Sequence, residues 1–274
     1  MTGAAVRHAL VTGASSGIGR GLALALGKRG AHVVVAARRR DRLDELVREI
    51  AAAGGSGEAL ELDVADADAT YKAVSSIDAK RPLDYVVANA GVGGITPGKK
   101  LDWTRVRAIL ETNLVGAAAT IAGAVPGMVA RGEGRVVAVA SVAGFRGLPR
   151  FGAYSASKAG LSHFTAALRA ECKGTGITTT LAEIGPVEST MMQSLHGHPA
   201  TERALVRLRQ LQLAVELDMD AVVRALVDAI EHQRRHVRMP KRNALFPILT
   251  ESPRRITELL LTGVPAQDGS EVAR

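Results

Sequence analysis

Val11-Thr12-Gly13-Ala14-Ser15-Ser16-Gly17-Ile18-Gly19 is the stretch on which the fold turns. The short apolar run His8–Val11 leads into it, and an amphipathic helical pattern over Ile18–Lys28 leads out. A glycine-rich turn between a strand and a helix has the makings of a phosphate cradle. Gly13 permits the sharp turn, Gly17 lets backbone approach an anion, and Gly19 lets the helix lie close to the sheet. Ser15, Ser16 and Ile18 belong to the same turn, whose N–H groups and positive helix end face the anion. The spacing is GxxxGxG, which separates it from the commoner GxGxxG dinucleotide fingerprint. The same residues also suit a plain βα turn with incidental glycines, but a strand and a helix on the two sides favour the cradle.

Outward from this turn, short apolar runs alternate with longer amphipathic ones. His32–Ala37, Ala59–Leu62, Leu83–Ala88, Arg135–Ala140 and Ile177–Ile184 read as buried strands. Arg42–Ala53, Ala67–Ala79, Trp103–Ala130 and Ala153–Lys173 read as helices, the third expected to kink or end near Pro126. The alternation predicts an α/β fold, a doubly wound parallel sheet of Rossmann-like type with ligands beyond the carboxyl ends of the strands. Residues 1–274 read as one domain, with a substrate lid over about 186–216 and a C-terminal tail over about 240–274. Within that last part, Ala221–His232 reads as a helix and His236–Met239 as a short final strand. No internal repeat and no low-complexity linker interrupts the chain.

Composition narrows the function classes. Apolar residues make up 47%, enough for a sizeable core. Cys172 is the one cysteine, so neither an intramolecular disulfide nor a cysteine-rich metal site can form, and no metal ligand set is expected. The first ten residues lack a long apolar core of the signal-peptide kind, and no uninterrupted apolar stretch reaches membrane-spanning length. The net charge of +8 raises nucleic acid as a partner, but aromatics at 3% supply a poor stacking platform. Small anions, such as cofactor phosphates, are the better fit. A local basic cluster gathers Arg234, Arg235, His236, Arg238, Lys241 and Arg242 with no acid among them.

The second strand end is basic too. Where NAD-selective sites place an acid for the ribose hydroxyls, this chain has Ala37 and then Arg38, Arg39 and Arg40. An arginine fork suits a 2′-phosphate, so Arg38 and Arg39 point to NADP(H) in preference to NAD(H), although a solvated basic turn has the same composition.

Tyr154 and Lys158 stand four apart in a helical pattern and share one face. A phenol ordinarily titrates near pH 10. A nearby ammonium favours the phenolate, and an oxidised nicotinamide would add a second positive charge. Ser141 follows the fifth strand, where its hydroxyl can hold a substrate oxygen while the phenol exchanges a proton with it, or can simply bond the turn backbone.

Thr12–Gly19, Asp63-Val64, Asn89-Ala90-Gly91, Asn113, Ser141, Tyr154 and Lys158, in this order and at these intervals, resemble the short-chain dehydrogenase/reductase family. The resemblance carries motifs over about residues 5–190. It implies hydride transfer between NADP(H) and a carbonyl or secondary alcohol, with Tyr154 as acid/base. Asp63 and the Val64 backbone would bind adenine, and Asn89, Ala90 and Gly91 would line the cofactor. Asn113 would hold a water that relays protons through Lys158, which would also bind the nicotinamide ribose. The family's Asn-Asn-Ala-Gly is Ala88-Asn89-Ala90-Gly91 here, and its Pro-Gly is Ile184-Gly185 followed by Pro186. The Val187 backbone would meet the nicotinamide carboxamide, with Ser189 or Thr190 beside it. A catalytically silent dinucleotide-binding sensor is the alternative, though it need not keep Ser141, Tyr154 and Lys158 together.

Met191, Met192 and Leu195 in the lid, with Phe145 and Phe151, predict an apolar substrate pocket, unless they are core. The partner is therefore expected to be a small-molecule carbonyl or alcohol and not nucleic acid. A homo-oligomer in the cytoplasm is expected. The basic and apolar tail offers peripheral membrane contact as an alternative to a subunit interface, though Pro240, Pro247 and Pro253 interrupt any long helix there.

Overall fold

A computed structural model describes residues 7–145, 147, 149–187, 199–210 and 215–240. Seven strands form one sheet: β1 (His8–Thr12), β2 (His32–Ala37), β3 (Ser56–Glu61), β4 (Tyr85–Ala88), β5 (Gly134–Ser141), β6 (Ile177–Ile184) and β7 (His236–Met239). Their order is β3-β2-β1-β4-β5-β6-β7, and every pairing is parallel. This is the expected doubly wound, Rossmann-like sheet. The chain runs outward from β1 to β3, then crosses back to β4 beside β1. That reversal opens a crevice at the carboxyl ends of β1 and β4.

Eight helices are described: α1 (Gly17–Gly27), α2 (Arg40–Ala52), α3 (Ala67–Lys80), α4 (Trp103–Leu110), α5 (Gly116–Arg131), α6 (Gly152–Glu171), α7 (Pro199–Gln210) and α8 (Met219–Glu231). Strand alternation sends Ala9, Val11, Val33 and Val35 to one face, where Leu22 and Leu26 of α1, Leu46 of α2 and Leu226 of α8 cover them. Leu10, Val34, Val86 and Val136 go to the other face, under Val74 of α3, Ile121 and Met128 of α5 and Leu161 of α6. Each such buried aliphatic side chain contributes about 1.5–3 kcal/mol. Asp66 begins α3, Asp102 begins α4 and Asp218 begins α8, and each carboxylate accepts a first-turn N–H.

Three local expectations shift. β3 starts at Ser56, earlier than Ala59, because it is an edge strand with half-exposed residues and weak apolar periodicity. β4 starts at Tyr85, later than Leu83, because the Leu83 N–H is taken by the Asp78 carboxylate at 2.8 Å. The helix through Pro126 continues to Arg131. Proline removes the bond to the carbonyl four residues back, and both Ala122 and Pro126 are exposed, so water can serve that carbonyl. Between α4 and α5, Glu111–Val115 widens into a π-helical turn. The whole stretch Trp103–Arg131 has the length and composition to cross a membrane, yet Ile109, Ile121, Ala124 and Met128 are buried in the core.

Candidate active site

The glycine turn is held against β4 by polar latches. Thr12 Oγ1 donates to Val87 O at 3.2 Å and accepts from the N–H groups of Asn89 and Ala90 at 3.1 and 3.2 Å. Asn89 Nδ2 donates to Thr12 O at 2.9 Å. Gly13 has φ +68°, and a Cβ there would stand 2.7 Å from Ala90 Cα, so the site requires glycine twice over. Gly17 opens α1 at φ +57°. Gly19 presses on the Gly13 carbonyl and Asn89. The turn thus aims the first-turn N–H groups of α1 into the crevice, and the Ser16 side chain does not cap them.

The arginines at the end of β2 divide their work. Arg39 Nη2 donates to Ser15 Oγ at 2.9 Å and Ser16 Oγ at 3.2 Å, placing a guanidinium beside the cradle. Arg38 Nη1 lies 3.9 Å from the Asp63 carboxylate. The two arginines thus face different partners, Arg38 the Asp63 side and Arg39 the cradle. Asp63 also accepts from the Ala65 N–H at 3.1 Å, so it shapes its own turn while flanking the crevice. Val64 is buried beside it, against Gly116.

Beyond β5 and β4 lies the buried half of the site. Ser141 ends β5, donates to Ile184 O at 3.2 Å and accepts from the Ala143 N–H at 3.2 Å. Tyr154, in the first turn of α6, stands beside the Ser141 hydroxyl. One helical turn on, Lys158 Nζ donates to Val139 O at 2.8 Å. A Cβ on Gly91 would lie 3.4 Å from that Nζ and 3.2 Å from Asn113 Oδ1, so the Asn89-Ala90-Gly91 segment packs directly on both. Asn113 sits fully buried in the π turn. Its Oδ1 accepts from the Val92 N–H at 2.7 Å, while Nδ2 donates to Val92 O at 2.9 Å and Ser157 Oγ at 3.2 Å. Ser157 in turn donates to Tyr154 O at 2.7 Å. A continuous polar network therefore joins Asn113 to the Tyr154 backbone.

Burial sets the electrostatics here. It pushes the Tyr154 phenol above its ordinary value, with the Ser141 bond opposing, and pulls the Lys158 ammonium down to about 8. Among the protein's own groups, desolvation outweighs any charge effect on Tyr154.

Val187 is buried and bridges to Leu217, next to Gly185, whose N–H bonds Met239 O at 2.8 Å. Ser189, Thr190, Met191, Met192 and Leu195 lie outside the described residues, as does the tail from residue 241. Phe145 and Phe151 are half-buried near Tyr154 in sequence. The basic cluster near β7 finds acids elsewhere in the chain: Arg238 pairs with Glu183 and Arg234 with Asp228. The latching role of Thr12 and the link made by Ser157 are additions of the structure. Their signal was slight, a hydroxyl at a strand's last position and one a residue before the lysine.

Known proteins resemble this chain in sequence and fold. The family model described as short chain dehydrogenase matches residues 7–199. An uncharacterised oxidoreductase of Myxococcus xanthus is 53% identical over 186 residues, covering 68% of this chain and 74% of that protein. A 3-oxoacyl-[acyl-carrier-protein] reductase of Synechocystis is 34% identical over 201 residues, covering 73% and 81%. Among solved structures, one provisionally named an NAD(P)-dependent gluconate 5-dehydrogenase, from Beutenbergia cavernae with bound NADP, superposes with a TM-score of 0.76 at 33% identity, covering 84% of this chain and 93% of that one. A glycine cradle at β1, a buried serine and lysine with a half-buried tyrosine beyond β5 and this breadth of likeness place the chain in the short-chain dehydrogenase family, as an NAD(P)-dependent oxidoreductase of small molecules.

Proposed function

We propose that the protein transfers a hydride between NADP(H), in preference to NAD(H), and an apolar carbonyl or secondary alcohol, with Tyr154 as acid/base. The observation that carries this is the placement of Tyr154 beside the Ser141 hydroxyl at the end of β5, with the Lys158 ammonium buried one helical turn away and held by Val139 O. The glycine cradle fits a pyrophosphate, since a Cβ at Gly17, which opens α1, would meet nothing nearer than Met219 at 3.9 Å and the first turn of α1 lacks a side-chain cap. A bound nicotinamide dinucleotide supplies the hydride and, when oxidised, a positive charge. Gly13, Ser15, Ser16, Gly17, Ile18 and Gly19 would hold its pyrophosphate. Asp63 and Val64 would flank its adenine. Asn89, Ala90, Gly91, Val187, Ser189 and Thr190 would line its nicotinamide half.

In reduction, Ser141 holds the substrate oxygen and Tyr154 gives it a proton; in oxidation Tyr154 takes the proton back. Lys158, held by Val139 O and packed on Gly91, supplies the charge that stabilises the phenolate. The amide of Asn113 is taken up by Val92 and Ser157, so its part in this reading is to position the Gly91 segment and α6. Arg39 beside Ser15 and Ser16 supports the NADP preference, because a 2′-phosphate at that edge would meet a guanidinium already aimed at the cradle. Half-buried Phe145 and Phe151 support an apolar substrate, as does the likeness to a 3-oxoacyl reductase. Exposed Leu101 and Trp103 support a homo-oligomer.

Tyr154→Phe tests the assignment. Turnover on a panel of carbonyls and alcohols should fall by about 10²–10⁴-fold while NADPH binding, read by fluorescence, is retained. Parent-like turnover on a good substrate would refute it.

A further inference from the structure

The edge of the sheet remote from the active site carries a second cluster of chemically capable side chains. The first residues of β1 and β2 are both histidines, and the parallel register sets His8 beside His32, and His32 beside Ser56. Glu58, two residues past Ser56, projects from the same face of β3. One ligand atom from each of His8, His32 and Glu58 falls within 4.8 Å of the others.

The hydrogen bonds of both histidines engage Nδ1. His8 Nδ1 lies 3.1 Å from Arg81 O and 3.2 Å from Pro82 O. Carbonyls only accept, so Nδ1 carries the proton and Nε2 keeps its lone pair. His32 Nδ1 lies 3.0 Å from Ser56 Oγ, which can hold the second ring in the same tautomer. A ring N–H anchored to a carbonyl or hydroxyl is the usual outer support of a metal-binding imidazole.

We propose that His8, His32 and Glu58 form a site for one divalent transition-metal ion, zinc(II) foremost, that ties together the amino ends of β1, β2 and β3. Two imidazoles and a carboxylate suit zinc; magnesium and calcium favour all-oxygen sets. Zinc bonds of about 2.0–2.1 Å bring tetrahedral ligand atoms to about 3.3 Å apart. The exposed Glu58 carboxylate and the half-buried His32 therefore close in on His8, which is buried and fixed. Water completes the tetrahedron. The Glu58 charge favours the ion. The positive Arg81 guanidinium opposes it, but Arg81 is exposed and free to swing outward.

The test uses full-length protein without a histidine tag, stripped with a chelator and titrated with cobalt(II) and zinc(II). One equivalent of cobalt should bind with the visible bands of a tetrahedral nitrogen–oxygen site, and zinc should displace it. Glu58→Gln and His32→Gln should each weaken zinc binding at least about tenfold. His232→Gln, at a surface pair with Asp228, should leave it unchanged, and Arg81→Ala should tighten it. Glu58 is exposed, so its variant keeps the fold, as circular dichroism would verify. Failure to take up one equivalent, or parent-like zinc affinity in both Glu58→Gln and His32→Gln, would overturn the proposal.

Discussion

Helices α1 and α3 each begin a few residues beyond the carboxyl end of a strand, and their first turns are finished in opposite ways. At α3, the Asp66 carboxylate accepts the Ala69 N–H at 2.9 Å, and Asp68 adds a second negative charge to the first turn. At α1, the preceding residue is Ser16. Its side chain makes no capping bond, no acid follows in the first turn, and its hydroxyl accepts from Arg39 instead. The positive helix end is neutralised from within at α3 and left for an external anion at α1. One fold thus carries two kinds of helix start, one serving stability and one serving binding.

Three substitutions can break or sharpen this contrast. The largest effect is expected from Ser16→Asp, which imports the α3 arrangement into α1. A carboxylate at the cradle should weaken NADPH binding by at least about 100-fold, while helix capping raises stability by up to about 1 kcal/mol. Fluorescence titration and thermal melting would read the two effects separately, and unaltered NADPH affinity would break the contrast. Arg39→Ala comes next. It should raise the NADPH dissociation constant by about 10–100-fold, the worth of a charge-assisted phosphate contact, and move NADH by less than about twofold. Equal losses for both cofactors would remove Arg39 from the 2′-phosphate. The smallest effect is Asp66→Ala, which should cost about 1 kcal/mol of stability in denaturant unfolding and leave turnover unchanged.

The sequence disclosed whatever is encoded within one element and its adjoining turn. The glycine turn, the four-residue step from Tyr154 to Lys158 and the apolar runs of β1, β2 and β6 are local, and all were legible. β3 was misplaced because an edge strand reading Ser-Gly-Glu-Ala-Leu-Glu is only half covered and shows little apolar period. The division of Arg38 from Arg39 depends on how the chain leaves β2, which composition does not report. The neighbourhood of His8, His32 and Glu58 arises from the register of three strands, and no linear motif announces it. The rise of the Tyr154 phenol is likewise a property of burial, invisible until helix and strands pack.

The widened turn at Glu111–Val115 has a consequence for the helix as a whole. Ile109, Asn113, Ala117 and Ile121 are all buried, at successive intervals of four residues. In a regular helix of 3.6 residues per turn, each such interval overshoots a full rotation by about 40°, or about 120° over the three. The broad turn absorbs part of that overshoot. It acts as a phase adjuster, letting one rod present Asn113 to Val92 and Ser157 and still seat Ile121 beneath the sheet. Removing one residue from it would set those two alignments against each other.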